Sequence, residues 1–240
     1  MVGRRDGRPR YEQIAAHLRA QIMSGDLLPG TQLPSTQQLV EQYGAANTTI
    51  QSALAALKAE GFLTSRVGKG VYVRDRQPLV VRVGAYFEPS PRGYSYRLLD
   101  VAEVRPPLDV AATLNLAPDG TAILRHRLTL HNSEPVDLSW SYYPTDIAGG
   151  SALAGRAKIT GGAPHVLSEL GYPQVYFTDR LSSRPPTTDE LEGLELPDGV
   201  PVIRQFRVIY STNEHPVEVS ILIKGAHLYE LLYREAIGTP

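Results

Sequence analysis

The stretch LPSTQQLVEQYGAANTTIQSALAALKAEG, residues 33–61, decides the fold of the first part of the chain. Ser35 is placed to cap a helix, and Gln38, three residues later, completes a capping-box pattern. This helix is predicted to end near Tyr43, before a turn at Gly44. A further helix follows as far as Gly61, with one apolar face formed by Ile50, Ala53, Leu54 and Leu57. Two helices joined by so short a turn predict a helix-turn-helix.

The flanking sequence extends this module in both directions. Residues 11–22 carry apolar side chains at the i, i+3, i+4, i+7 spacing of an amphipathic helix, which Gly25 ends. After Gly61, two short strand-like runs, 62–66 and 71–73, surround the basic, glycine-rich tripeptide Gly68-Lys69-Gly70. We therefore expect three helices followed by a β-hairpin, or wing.

Several short motifs between Pro9 and Arg74 resemble the winged helix-turn-helix of GntR-family bacterial transcription regulators. They include YEQI (11–14), SGDL (24–27), PG (29–30), LPS (33–35), YG (43–44), EGF (60–62) and GKGVYV (68–73). The resemblance implies a DNA-binding domain over residues 1–74. The charged segment around Pro78 then predicts a linker over residues 75–80.

The residues expected to read DNA lie at the start of the second helix of the motif, which enters the major groove. The family usually has arginine at the positions of Gln37, Asn47 and Gln51, and this sequence has none of the three. Arginine side chains match the hydrogen-bonding groups of guanine, whereas Asn and Gln side chains match those of adenine. Because this sequence departs from the family at these positions, we expect its operator to differ from the family's commonest one. Asn47 either caps its helix or contacts a base, and Gln37 either contacts phosphate or is solvated surface.

Basic residues before the first helix and at the wing would compensate for the missing arginines. Arg4 and Arg5 belong to this basic arm. The full set of expected DNA contacts is Arg8, Arg10, Ser35, Thr36, Gln37, Asn47, Thr48, Thr49, Gln51, Arg66, Lys69 and Gly70.

Charge is divided unevenly along the 240 residues. The whole chain has a net charge of -1, but residues 1–76 hold ten basic and six acidic residues, a net +4, and the remainder is net -5. Such asymmetry indicates a polyanion-binding part joined to a different part. The absence of cysteine excludes disulfides and thiol chemistry. Because no apolar stretch approaches the ~18 residues of a membrane span, we expect a cytoplasmic protein without a membrane partner.

The second part of the chain contains an internal repeat. Arg-Pro-Pro, Leu-x-Leu, Pro-Asp-Gly and a Pro-Val-acid-aliphatic-Ser motif recur in the same order in residues 105–139 and 184–220, offset by 79 to 81 residues. Each copy predicts a short helix, a long strand, a polar turn and a second strand. Two such units can form one antiparallel sheet with the helices on one side, an α+β fold. The polar faces of its strands are either solvated or a binding surface.

Residues from about Leu79 to Tyr233 resemble the UTRA domain of the HutC-type subfamily, whose fold is similar to chorismate lyase. The motifs are RHR (125–127), PVDLSWSYYP (135–144) and PVEVS (216–220). The resemblance implies an effector-binding and dimerisation domain, which we place at residues 81–240, for a small and often anionic metabolite. Its arginines would pair with a phosphate or carboxylate, and the helix after residue 161 would offer a second anion site. The expected effector contacts are Arg125, Arg127, Ser139, Tyr143, Gly162, His165, Glu218, Ser220 and Lys224.

The sequence carries no catalytic signature. The six histidines lack H-E-x-x-H spacing, and there is neither a G-x-S-x-G nor a G-x-x-x-x-G-K-[ST] motif. We therefore expect no enzyme, no cofactor and no metal site. The expected function is that of a homodimeric repressor on an imperfectly palindromic operator in double-stranded DNA, modulated by an effector. The alternative is a DNA-binding regulator whose second domain only dimerises, for instance through Tyr229, Leu231, Leu232 and Tyr233.

Overall fold

The structure is a computed structural model that describes residues 6–75, 79–82 and 93–233, with side chains omitted at 80–82. The chain divides into two compact units at Pro78 and Leu79. Among the described residues, no helix is both long and apolar enough to span a membrane.

The first unit has the predicted three helices and hairpin. They are α1 (Arg10–Ser24), α2 (Thr36–Tyr43), α3 (Asn47–Ala59), β1 (Leu63–Arg66) and β2 (Gly70–Val73). The capping box of Ser35 and Gln38 is present at the start of α2, and Gly44 ends that helix with a φ of 56°. One apolar core joins the helices to the hairpin, formed by Ile14, Ala15, Leu18, Leu33, Leu39, Ile50, Ala53, Leu54, Leu57, Leu63 and Val73.

The wing is extended by the loop that precedes α2. Strands β1 and β2 pair antiparallel. Backbone hydrogen bonds also join Leu33 to Val71 and Thr31 to Val73. The position of the wing is therefore coupled to the start of α2 through the backbone.

The second unit contains a six-stranded antiparallel sheet in the order β4-β5-β6-β9-β8-β7. Its strands are β4 (Tyr94–Val104), β5 (Ala122–His131), β6 (Glu134–Pro144), β7 (Tyr176–Arg184), β8 (Val202–Tyr210) and β9 (Pro216–Gly225). The helices are α4 (Leu108–Thr113), α5 (Thr145–Ala148), α6 (Gly162–Glu169) and α7 (Thr188–Gly193). A separate parallel pair is formed by β3 (Leu79–Arg82) and β10 (Tyr229–Leu232). The predicted α+β class with an antiparallel sheet is confirmed.

The internal repeat builds the sheet as two equivalent halves. The first half is β4-α4-β5-β6 and the second is β7-α7-β8-β9, with β6 and β9 paired at the centre. Each half therefore begins with one strand more than the sequence predicted. Both extra strands are sheet edges, and β7 is largely exposed, so the alternation that marks a half-buried strand is weak.

The two faces of the sheet are covered differently. As predicted, α4 and α7 pack on one face, over an apolar layer that includes Leu138, Tyr142 and Phe206. On the opposite face, α5 and α6 cover one end around Tyr143 and Ile209. Tyr229 of β10 lies over Lys224, and the apolar cluster around Tyr229 includes Ile203 of β8. Between these two ends, the opposite face is polar.

Candidate functional site

The start of α3 presents an exposed polar surface. Asn47, Thr48 and Gln51 are exposed and Thr49 is half-buried, whereas the apolar residues of α3 face the core. Ala46 occupies the N-cap position, without a side-chain hydrogen bond, and Asn47 is the first helical residue. The capping alternative for Asn47 is therefore wrong, because a capping side chain precedes the first helical residue.

Side chains of α2 adjoin this surface. The Gln51 carboxamide donates a hydrogen bond from Nε2 to Thr36 Oγ1 at 3.0 Å. Ser35 Oγ accepts from the Gln38 backbone N–H, which leaves its own hydroxyl hydrogen available to a phosphate. Gln37 is exposed. The structure therefore brings Thr36 and Gln51 together and leaves Gln37 on the surface.

The tip of the wing is braced by residues that the sequence did not indicate. The Lys69 carbonyl accepts hydrogen bonds from Gln32 Nε2 at 2.7 Å and from Tyr72 Oη at 3.1 Å. The Arg66 guanidinium lies 4.3 Å from the centre of the Tyr72 ring. Gly70 has a φ of 108°, which residues other than glycine rarely adopt, and a side chain there would also meet Gln32 Nε2 at 3.0 Å. A cleft of about 690 Å³ lies between the wing and the start of α2.

The described part of the basic arm is tied to its neighbours. Arg8 pairs with Asp6 at 2.7 Å and holds the pKa of that carboxyl at about 2. Arg10 donates to the side chain of Gln13 and to the Tyr43 carbonyl. Arg8 thus offers DNA a charge that Asp6 partly offsets. Arg4 and Arg5 lie outside the described residues.

The polar face of the second unit is buried. Its register places Arg125 opposite Ser141 and Ser141 opposite Ser220, on the three strands β5, β6 and β9. Of the two alternatives for this face, the solvated one is wrong, because ten of its polar side chains are buried: Arg125, Thr129, Asp137, Ser139, Ser141, Gln205, Arg207, Glu218, Ser220 and Lys224. Burying polar groups is costly unless hydrogen bonds replace water, so the partners of these groups matter.

A directed chain of hydrogen bonds crosses the centre of this face. Arg127 Nη2 donates to Ser141 Oγ at 2.7 Å, the Ser141 and Ser220 hydroxyl oxygens are 2.6 Å apart, and Ser220 Oγ donates to Glu218 Oε1 at 2.7 Å. A hydroxyl has one hydrogen, and that of Ser220 is used for Glu218. Ser141 must therefore donate to Ser220, and the whole chain runs from the cation to the carboxylate. Such aligned bonds strengthen one another.

Two buried ion pairs flank the chain. Lys224 pairs with Asp137, with side chains only 5% and 8% exposed, and Arg207 pairs with Asp179 at 2.7 Å. Lys224 was expected to contact an effector, whereas the structure gives its charge a protein partner. The sequence did not indicate Asp179, because the strand that carries it was not predicted.

Arg125 is already engaged in holding the chain together. Its Nη1 donates to the carbonyls of Leu153 and Gly155, which follow α5. Burial lowers the pKa of the Arg125 guanidinium. Arg125 therefore positions this loop on the sheet, a role that the sequence did not predict.

Tyr143 carries a buried hydroxyl that interacts with the Ser141 side chain. Its side chain is completely buried, and its Oη makes no hydrogen bond of ordinary geometry to a described residue. Burial, and then the charge of Glu218, raise the pKa of the Tyr143 hydroxyl, which is therefore neutral and able to donate.

The remaining predicted residues lie away from this cluster. Gly162 begins α6, after Gly161 at the N-cap position. His165 is 57% exposed, and its Nε2 lies 3.4 Å from Glu169 on the same helix. Within the described parts of the chain, His165 makes no hydrogen bond or ion pair to the polar sheet face. In these residues, no three or more His, Asp or Glu side chains are grouped so that they could hold a metal ion.

Comparisons with known proteins agree with this architecture. Residues 10–73 match the model of the bacterial regulatory proteins of the gntR family, and residues 91–230 match the UTRA domain. An uncharacterised HTH-type transcriptional regulator of Streptomyces coelicolor is 29% identical, covering 91% of this chain and 88% of its own length. The HTH-type transcriptional repressor NagR of Bacillus subtilis is 27% identical, covering 85% and 86%. The crystal structure of PhnF from Mycobacterium smegmatis shares the fold, with a TM-score of 0.60, 15% identity and coverage of 94% and 100%.

A winged helix-turn-helix joined to a six-stranded α+β unit defines a transcriptional regulator rather than an enzyme. The relatives are also named transcriptional regulators. The chain belongs to the GntR family of bacterial regulatory proteins and carries a UTRA domain.

Proposed function

We propose that this regulator is a cytoplasmic, homodimeric repressor. Its two winged units would bind the half-sites of an imperfectly palindromic operator, since a twofold dimer matches a twofold site. The exposed polar start of α3 and the braced wing support this proposal. The relative from Bacillus subtilis is named a repressor.

The operator contacts combine base reading and phosphate binding. Asn47, Thr48, Thr49 and Gln51 would face base edges, whereas Ser35, Arg66 and Lys69 would hold phosphates. Selection of bound fragments from random double-stranded DNA by the full chain tests this directly. Enrichment of a sequence with two inverted half-sites is expected, and enrichment of single, unrepeated sites would contradict the dimeric arrangement.

The second unit would bind a small, anionic effector on the polar sheet face. The observation that carries this proposal is the cluster of buried polar groups around the Tyr143 hydroxyl, which interacts with Ser141 but makes no hydrogen bond of ordinary geometry to a described residue. Arg127 lies at the cationic end of the hydrogen-bond chain and would attract a phosphate or carboxylate. Ser139, Glu218 and Ser220 share this face. Contacts from Gly162 and His165 stay a prediction that the described contacts do not support.

Regulation requires that the effector binds the DNA-free and DNA-bound arrangements with different affinities. A panel of small phosphates, carboxylates and neutral sugars should be screened for thermal stabilisation of the full chain. Each hit is then titrated into the operator complex. An anionic hit that weakens operator binding is expected.

Tyr143→Phe provides a matched variant, because it removes only the hydroxyl. Tyr143→Phe should reduce effector binding and leave operator binding in the absence of effector unchanged. The control is Ser168→Ala, on the exposed side of α6, which should also leave operator binding unchanged. Hits that stabilise the protein without changing operator affinity would contradict the switch. The lack of any hit would favour the alternative in which the second unit only dimerises.

A further inference from the structure

The contact between α2 and α3 has a direct bearing on sequence recognition. Gln51 is exposed on α3, and its Nε2 donates to Thr36 Oγ1, fifteen residues earlier at the first position of α2. A carboxamide carries two N–H hydrogens and one acceptor oxygen. The bond to Thr36 uses one hydrogen and leaves the other hydrogen and Oε1 for a ligand.

We propose that Thr36 is a positioning residue that orients the Gln51 carboxamide to read an adenine, an inference that rests on the proposed operator binding. Adenine presents N7 as an acceptor and N6–H as a donor in the major groove, which match the remaining N–H and Oε1 of Gln51. Guanine presents two acceptors there, N7 and O6, so Oε1 would face O6 without a hydrogen between them. The geometry thus selects adenine over guanine.

The positioning effect has a physical source in side-chain entropy. A free glutamine on a helix surface samples many rotamers, and ordering it on binding costs affinity. Thr36 restricts Gln51 before DNA arrives. In the described structure, the side chains of Asn47 and Thr48, which are also exposed at this end of α3, make no hydrogen bond to α2.

The test uses the full chain and the operator obtained by selection, with every base pair of one half-site replaced in turn. Gln51→Ala should abolish the preference for adenine over guanine at one base pair. Thr36→Val, which keeps the shape but removes the hydroxyl, should lower that same preference roughly three- to tenfold, as expected for one hydrogen bond. Thr36→Ser restores the hydroxyl and should retain most of the preference. The double variant Thr36→Val/Gln51→Ala should behave as Gln51→Ala alone.

Gln51→Arg gives a second measurement, independent of how well Thr36→Val folds. It should convert the preference at the same base pair from adenine to guanine. A loss from Thr36→Val that is equal for all operator variants, or that falls at another base pair, overturns the positioning role. An unchanged base preference in Gln51→Arg overturns the reading of adenine, although operator binding itself would stand. Failure to enrich any operator would instead count against the proposed function, and with it against both the reading of adenine by Gln51 and the positioning role of Thr36.

Discussion

Removal of the Gln32 side chain should weaken operator binding without changing its dependence on salt. Gln32 and Tyr72 both donate to the Lys69 carbonyl at the wing tip, so Gln32→Ala removes one of two braces. An intramolecular hydrogen bond contributes about 0.5–1.5 kcal/mol net, equivalent to roughly a two- to twelvefold change in the population of the braced wing. Because the backbone bonds from Thr31 and Leu33 remain, the wing itself should persist.

The magnitude on DNA follows from the number of wings. If both wings of a dimer contact DNA, the two factors multiply, to between about fourfold and about 150-fold as an upper limit. Gln32→Ala removes no charge, so the slope of log affinity against log salt should not change. Lys69→Ala, in contrast, should reduce that slope by about one for each wing that contacts a phosphate.

Fluorescence anisotropy with a labelled operator, measured over a series of salt concentrations, separates these effects. Gln42→Ala is the matched control, because Gln42 is exposed on α2 and far along the helix from the wing-coupled residues. A changed salt slope in Gln32→Ala would refute the bracing argument, since it would mean that a phosphate contact was lost. Unchanged affinity in both Gln32→Ala and Tyr72→Phe would show that the wing tip needs no brace.

Further predictions concern the second unit, whose unfolding can be followed alone because the single tryptophan of the chain, Trp140, lies in β6. Lys224→Met should lower the free energy of unfolding by about 3–5 kcal/mol, because it leaves Asp137 buried and unpaired, and adding Asp137→Leu should restore most of the loss. Equal losses in the single and double variants, measured by urea titration of tryptophan fluorescence, would contradict this. Burial alone would raise the pKa of Glu190, but hydrogen bonds from Arg184 and Thr187 lower this pKa below its usual value of 4.5. The ion pair of Arg184 and Glu190 therefore stabilises the fold above pH 4.5, and this stabilisation is lost as the pH falls through the lowered pKa. Glu190→Gln should therefore be less stable than wild type at pH 7 and nearly equal to it under acid conditions, and a difference that persists in acid would be evidence against the ionised pair.

The sequence predicted the features that depend on local chemistry. The capping box at Ser35 and the turn at Gly44 follow from residue types a few positions apart, and the repeat made the central strands and the helices α4 and α7 recognisable. The alternation in β5 and β6 also placed Arg125 and Ser139 on one face correctly.

The features that the sequence did not predict depend on contacts between distant segments. Whether a polar face is solvated or buried is decided by what packs over it, here α5, α6 and β10. The braces Gln32–Lys69 and Arg125–Leu153 join residues 37 and 28 positions apart, without any local pattern. Asn47 does not cap α3, because the N-cap position is one residue earlier, at Ala46.

The internal repeat has a consequence for how an occupant could be oriented. Ser139 and Ser220 are equivalent residues of the two copies, whereas Ser141, which contacts Ser220 across the central strand pair, corresponds to Leu222. Two identical copies related by a true twofold axis would have to present the same side chains on both sides of that axis. In one chain each copy can change separately, and because the counterpart of Ser141 is Leu222, the hydrogen-bond chain from Arg127 through Ser141 and Ser220 to Glu218 has no equivalent on the other side of the axis. Duplication followed by divergence thus turned a symmetric scaffold into a polarised surface, on which the two ends of a small molecule are not interchangeable.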